Sequence, residues 1–344
     1  MGLIPSFLLT SNRKLFKKKE FYFAVVLSLV LISPNLFWQY KHHFPVFVHL
    51  NELADTQLIN VSRVTFLKEQ LLFFSGGLLV LLASFFSLLF YPAFSKYRVF
   101  FLSFCFTIAL FIFLKAKGYY AIGLYPVHLS FGSVYWESVL KEGWRKNFQP
   151  LLLLIPVLIF IPMYQWLFPN KSPEQIAEHE EKYKKLGLLR WEDGKDHLLP
   201  QDFADMLGWR ELASKTDKIH STLQEPGKTL FLCDNYGQAG AINYYTTRGI
   251  KAVTFNADYL NWFDLTQQYT HLVRVQSFQG RDEEFNELSQ YFLTSSKEDS
   301  ITNPYAREYR TIIFLFTYSK IDINQKIKEE MEEVNKRKRQ NKIE

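Results

Sequence analysis

The stretch that most narrows what this chain can fold into is LLFFSGGLLVLLASFFSLLFY, residues 71–91, which holds no charged side chain and matches the length a helix needs to cross a bilayer. Similar runs recur through the first half of the sequence. The reading is therefore five spanning helices, at about 21–38, 71–91, 99–114, 119–140 and 150–168. The third is short, and the fourth carries His128 and Glu137. The first ten residues read as the end of another apolar helix, so the sequence is expected to start partway through a larger membrane domain.

Charge separates the chain into two unlike parts. Residues 1–170 contain fifteen Lys and Arg against six Asp and Glu, whereas residues 171–344 contain 25 against 28. The excess of positive charge thus belongs to the apolar half, where it bears on membrane orientation rather than on nucleic acid. Ten of the basic residues fall in NRKLFKKKE, SKYR and KEGWRKNF, and five fall in the alternate connections. The positive-inside rule assigns the first set to the cytoplasm. The connection 39–70, the KAKGYY segment and everything after residue 168 are then expected outside.

Beyond residue 170 the pattern is that of an α/β domain, expected over 171–325, with a charged tail at 326–344. SPEQIAEHEEKYKKLG begins like a capped helix. DFADMLGWRELASKTDKIHSTL places Phe203, Met206, Leu207, Leu212 and Ile219 near one helical face. KTLFLC, KAVTF, HLVRVQSF and RTIIFLFTY read as strands, with helical QAGAINYYTTRG and DEEFNELSQYF between them. The expectation is a small three-layer domain with right-handed crossovers.

Two cysteines, Cys105 and Cys233, exclude both a disulfide framework and a cysteine metal site. CDNYGQAGAINYY follows a strand and opens a helix, but its glycines do not form a dinucleotide fingerprint, so a cap at Asp234 or Asn235 is favoured over a nucleotide. His42 and His43 stand just past the first span; Glu52, Asp55 and His49 are within reach in sequence for a metal, although anchoring at the membrane interface explains the histidines more simply.

The remaining feature is FLKAKGYYAIGLYP, residues 113–126, which sets Lys115, Lys117, Tyr119 and Tyr120 between two apolar runs. A lysine at the centre of a bilayer helix costs about 2.5–3.5 kcal/mol on insertion scales. These residues read either as interfacial anchors or as a phosphate site built from charge-assisted hydrogen bonds.

SPNLFWQYKHHFPVFVHLNELADTQL, AKGYYAIGLYPVHLSFGSVYWE, LPQDFADMLGWRELA and CDNYGQAGAINYY together resemble the later portion of bacterial membrane glycosyltransferases of family 39. These are related to the dolichyl-phosphate-mannose protein mannosyltransferases and the lipid A aminoarabinose transferase. The resemblance implies a GT-C fold in the bacterial inner membrane and transfer of a sugar from a polyprenyl phosphate to a protein or lipid acceptor. It also implies that Lys117, with Lys115, Tyr119 and Tyr120, meets the carrier phosphate, and that His42 and His43 are secondary candidates. No cofactor follows from it with certainty, but a divalent metal is compatible with the complete enzyme. The family's acidic catalytic loop has no counterpart here, which points to a truncated chain or a separate N-terminal half; Glu52 and Asp55 are weak substitutes for its base. A membrane-anchored interaction module and a transporter component are the alternatives from other classes.

Overall fold

The computed structural model describes residues 2–42, 44–56, 58–225, 228–277 and 281–340; at 48, 49, 52, 56, 257, 281, 335 and 337–340 it describes the backbone alone. Two compact units result. One comprises Met1–Phe37, Glu52–Lys171 and Glu192–Gly194; the other comprises Trp38–Asn51, Ser172–Trp191 and Lys195–Glu344.

The first unit is helical. Its main helices are α1 (Lys19–Lys41), up to Phe37, the end of α2 (Pro45–Thr56) from Glu52, α3 (Arg63–Phe73), α4 (Leu78–Phe90), α5 (Arg98–Phe113), α6 (Tyr125–Leu140) and α7 (Gln149–Leu167). Among the described residues, three helical stretches are long and apolar enough to cross a membrane: Lys19–Lys41, Pro92–Phe113 and Gly143–Leu167. A fourth is present if the bent pair Arg63–Phe73 and Ser75–Phe90 is one span. No residue of α1 or α7 is buried, although both are strongly apolar. Faces of that kind need lipid or further protein against them rather than water.

The details depart from the sequence expectation in two places. The uninterrupted run at 71–91 is bent by 63° between α3 and α4. The cause is the Ser75–Gly77 turn, where Gly76 lies so close to Pro156 that a Cβ would stand 3.3 Å from its Cα. The segment expected to span at 119–140 is helical, a 3-10 stretch Gly118–Leu124 running into α6, yet it is not among the helices apolar enough to cross by composition. Instead it packs within the unit, against α4. Tyr125, His128, Gly132 and Leu140 are buried, and Gly132 meets the Val80 carbonyl of α4 so closely that a Cβ would clash at 1.9 Å. A helix shielded by neighbours tolerates polar groups that a lipid-facing one does not; here His128 Nδ1 lies 3.3 Å from Ser84 Oγ.

The second unit carries a mixed five-stranded sheet. In chain order its elements are α8 (Trp209–Thr222), β1 (Thr229–Cys233), α9 (Tyr236–Tyr245), β2 (Ala252–Val253), β3 (His271–Gln276), α10 (Arg281–Ser289), β4 (Phe292–Ser300), β5 (Ile312–Ser319) and α11 (Ile323–Gln340). The strand order is β2-β1-β3-β5-β4, with β1 parallel to β2 and β3, and β5 antiparallel to β3 and β4. Alternation along the strands builds two cores. Phe231, Cys233, Val273, Val275 and Ile313 face Leu212, Ile219, Ala239 and Ile242 of α8 and α9. Leu230, Leu272, Ile312, Phe314 and Phe316 face Ile323 and Ile327 of α11, with Phe285 of α10 against them. A sheet with both faces apolar must be covered on both, which is the three-layer arrangement expected.

The capped helix after residue 171 is present, with a complete capping box between Ser172 and Gln175. The long helix expected over 202–223 is broken. Gly208 takes φ of +86°, and a Cβ there would also lie 2.9 Å from Ala306 Cβ, so α8 starts only at Trp209 and Met206 is left exposed.

Candidate functional site

The KAKGYY segment begins where α5 ends. Leu114 caps the helix, Lys115 takes the left-handed conformation at φ of +52°, its N–H reaches the Ile112 carbonyl at 3.3 Å, and the Ala116 N–H reaches the Phe111 carbonyl at 2.9 Å. This is the Schellman pattern, normally completed by glycine. A lysine in that position gives up some backbone comfort, about 1 kcal/mol, while its charge faces the negative end of the helix dipole.

Lys117 follows in extended conformation and leads into the 3-10 helix Gly118–Leu124. Only 12% of its side chain is exposed, and its ammonium donates to the Glu192 carboxylate. The Tyr119 ring centre is 5.8 Å from Nζ. Burial on its own would favour the neutral amine, but the hydrogen bond and charge of Glu192 hold the pKa above the ordinary lysine value. The site therefore stays cationic at any physiological pH.

Two α3 side chains fix the start of the 3-10 helix. Gln70, buried, donates to the Gly118 carbonyl at 3.0 Å and accepts from the Tyr125 hydroxyl at 2.9 Å. Glu69 accepts a hydrogen bond from the Gly118 backbone, and a Cβ at that glycine would fall 1.9 Å from the Glu69 carboxylate. Gly118 is thus required for a close approach rather than for flexibility. Below this turn Tyr125 stacks on Phe74 with ring centres 3.9 Å apart.

The predicted residues are not all gathered. Lys117, Tyr119 and Tyr120 are together, the two tyrosine rings meeting edge to face at 4.8 Å. Lys115 is adjacent and its ammonium makes no ion pair among the described residues. Asp55 is exposed in α2 and also makes no ion pair among the described residues. The Glu52 side chain and the whole of His43 lie outside the described residues. His42 stacks on Trp38 at 4.4 Å and its Nδ1 lies 2.8 Å from the Trp38 carbonyl, the geometry of an aromatic anchor. Among the described residues no three His, Cys, Asp or Glu side chains form a group able to hold a metal.

The two acids of this segment, Glu192 on Lys117 and Glu69 on Gly118, were not among the residues singled out from sequence. Glu192 is 75 positions from Lys117 and carries no local signal. Glu69 had one: a lone carboxylate followed by a glutamine where a long apolar run begins.

At the helix start in CDNYGQAGAINYY, the Asn235 side chain accepts from the Gln238 N–H at 2.9 Å and caps α9. Glu308 accepts from Gln238 Nε2 at 2.7 Å and Asn235 Nδ2 at 3.3 Å, so the side-chain amides of the cap already have a protein partner. Comparison with protein-family models, with curated proteins and with solved structures finds no match for this chain.

Proposed function

We propose that the helical unit binds the phosphate of a polyprenyl-phosphate-linked sugar at Lys117, and that the chain takes part in moving that sugar to a protein or lipid acceptor at the outer face of a bacterial inner membrane. One observation carries this reading: a largely buried lysine between apolar helices, kept charged, whose ammonium holds a carboxylate. Carboxylate and phosphate oxygens use the same charge-assisted hydrogen bond, so Glu192 stands where a phosphate oxygen would stand. In transfer, the acceptor oxygen bonds to the anomeric carbon as the bond from that carbon to the phosphate oxygen breaks. The electron pair leaves on the phosphate, and the ammonium of Lys117 stabilises the charge that accumulates there. Tyr119 and Tyr120 supply hydroxyl donors, and Lys115 adds a second cation.

The acceptor proton needs a base. No residue here matches the acidic motif of the resembling family, and exposed Asp55 makes no ion pair among the described residues. Glu69, against Gly118, is better held, and we assign it that role in preference to Asp55.

The test is binding of farnesyl phosphate, a short polyprenyl phosphate, to the full-length chain in detergent. Measured in a Glu192→Gln background, so that no carboxylate is left unpaired, Lys117→Ala is expected to weaken binding by about tenfold or more, the loss of one charge-assisted contact. Equal affinity with and without Lys117→Ala in that background would overturn the reading.

A further inference from the structure

The second unit contains a cationic groove that the membrane site does not use. One wall is α8, where Arg210, Ser214 and Lys218 recur every four residues and so share a face. The other wall is the end of α9 and the turn after it, bearing Tyr245, Thr247 and Arg248. The space between them is about 410 Å³, within the range of small-ligand sites, roughly 300–1,000 Å³.

This groove is built rather than merely solvated. Asp217 of α8, 9% exposed, reaches the other wall and accepts from Thr246 Oγ1 at 2.5 Å and from both Thr247 N and Oγ1 at 2.7 Å. Both carboxylate oxygens are thereby spent on pinning the turn to α8. Burial would raise the Asp217 pKa, but the threonine hydrogen bonds and the charge of Arg248 hold it below the ordinary carboxylate value, so the clamp persists to acid pH. Arg210 is held over the Tyr245 ring, its guanidinium carbon 5.2 Å from the ring centre. Among the described residues, none of Arg210, Lys218 and Arg248 is in an ion pair. Three cations with unused donors therefore converge on a domain half whose own balance is acidic, 28 against 25.

We propose that this groove binds a phosphate group. Its planar guanidinium groups match phosphate oxygens in pairs, Lys218 adds a point charge, and the Ser214 and Thr247 hydroxyls complete a donor set with almost no competing acceptor. The same chemistry serves a free phosphate ester or a phospholipid headgroup. The inference stands apart from glycosyl transfer, since every residue in it belongs to the second unit and Lys117→Ala leaves it untouched.

The experiment uses the full-length chain in lipid nanodiscs. In phosphatidylcholine discs, inorganic phosphate and glycerol 3-phosphate are titrated and followed by phosphorus NMR line broadening. In a parallel arm, hydrogen exchange of residues 245–249 is compared between phosphatidylcholine and phosphatidylglycerol discs. Saturable binding of the soluble probes, near 1 mM in order of magnitude and weakened about tenfold or more by the paired substitution Arg210→Gln and Arg248→Gln, supports a soluble ligand. Protection found only with phosphatidylglycerol, and lost in the same variant, supports the headgroup. The single Lys218→Ala variant should show a smaller loss in whichever arm responds. The proposal is overturned if neither arm responds up to about 20 mM phosphate, or if the paired variant responds as the unaltered chain does.

Discussion

Lys115 and Lys117 are two residues apart and do different things. Lys115 terminates α5 with a left-handed backbone, whereas Lys117 holds an acid. Lys115→Gly is therefore expected to leave folding intact or raise stability by up to about 1 kcal/mol, because glycine suits that conformation. Thermal unfolding in detergent reads this, and a drop of several degrees would show that the lysine side chain, not the backbone, matters for the fold. A second residue-scale expectation concerns Glu211, which accepts from Lys215 at 2.8 Å and from Thr302 N and Oγ1 at 2.8 and 2.7 Å. Burial would raise its pKa, yet these partners pull it down to about 2 from the ordinary 4.5. A carboxylate depressed in the folded state contributes stability above its unfolded pKa and loses it as the pH falls through the folded one. The contribution, on the order of 1–2 kcal/mol after solvent screening, is accordingly complete above pH 4.5 and lost between there and pH 2. Glu211→Gln should flatten the acid limb of stability in that window; an unchanged limb would count against the pairing.

At the scale of elements, the sequence revealed what depends on local pattern and concealed what depends on neighbours. Strands β1, β2, β3 and β5 were readable because both their faces are apolar, and the Ser172 cap because its box is local. Strand β4 was missed: FLTSSKEDS has little apolar content because it is an edge strand whose stability comes from pairing with β5. The broken helix at Gly208 and the bend at Ser75–Gly77 were missed because a glycine's reason for being there is set by Ala306 or Pro156, far off in sequence. The candidate site shares that split. The lysines and tyrosines stood out as polar residues among apolar ones, but Glu192 became visible only through folding. Contact between α4 and α6 gives a direct check on this kind of packing. Gly132→Leu would force a side chain into the Val80 carbonyl, so destabilisation of about 1–3 kcal/mol or failure to yield monodisperse protein is expected. A variant that melts with the unaltered chain would mean that these helices do not touch as described.

Over the whole molecule, one segment decides which side of the membrane every later residue occupies. If Gly118–Leu140 crosses along with α1, the bent pair, α5 and α7, ten basic residues of the helical half lie on one side and five on the other. If it does not cross, the connection 141–148 joins Lys115 and Lys117 on the other side, the split becomes seven against eight, and the positive-inside bias vanishes. The charge distribution thus favours a crossing that composition alone does not declare, through a helix whose His128 is sheltered against Ser84 of α4. Cysteine labelling tests this. Cys233 is buried and should stay silent, so Cys105→Ser supplies the background for single replacements at exposed Asn147 and Lys297. An impermeant thiol reagent applied to intact cells is expected to label Lys297→Cys and to reach Asn147→Cys only after the membrane is opened. Should Asn147→Cys instead label from outside while Lys297→Cys needs permeabilised cells, the expected crossing fails and the sheet domain lies in the cytoplasm, where a phosphate site at Lys117 and that domain would face opposite compartments.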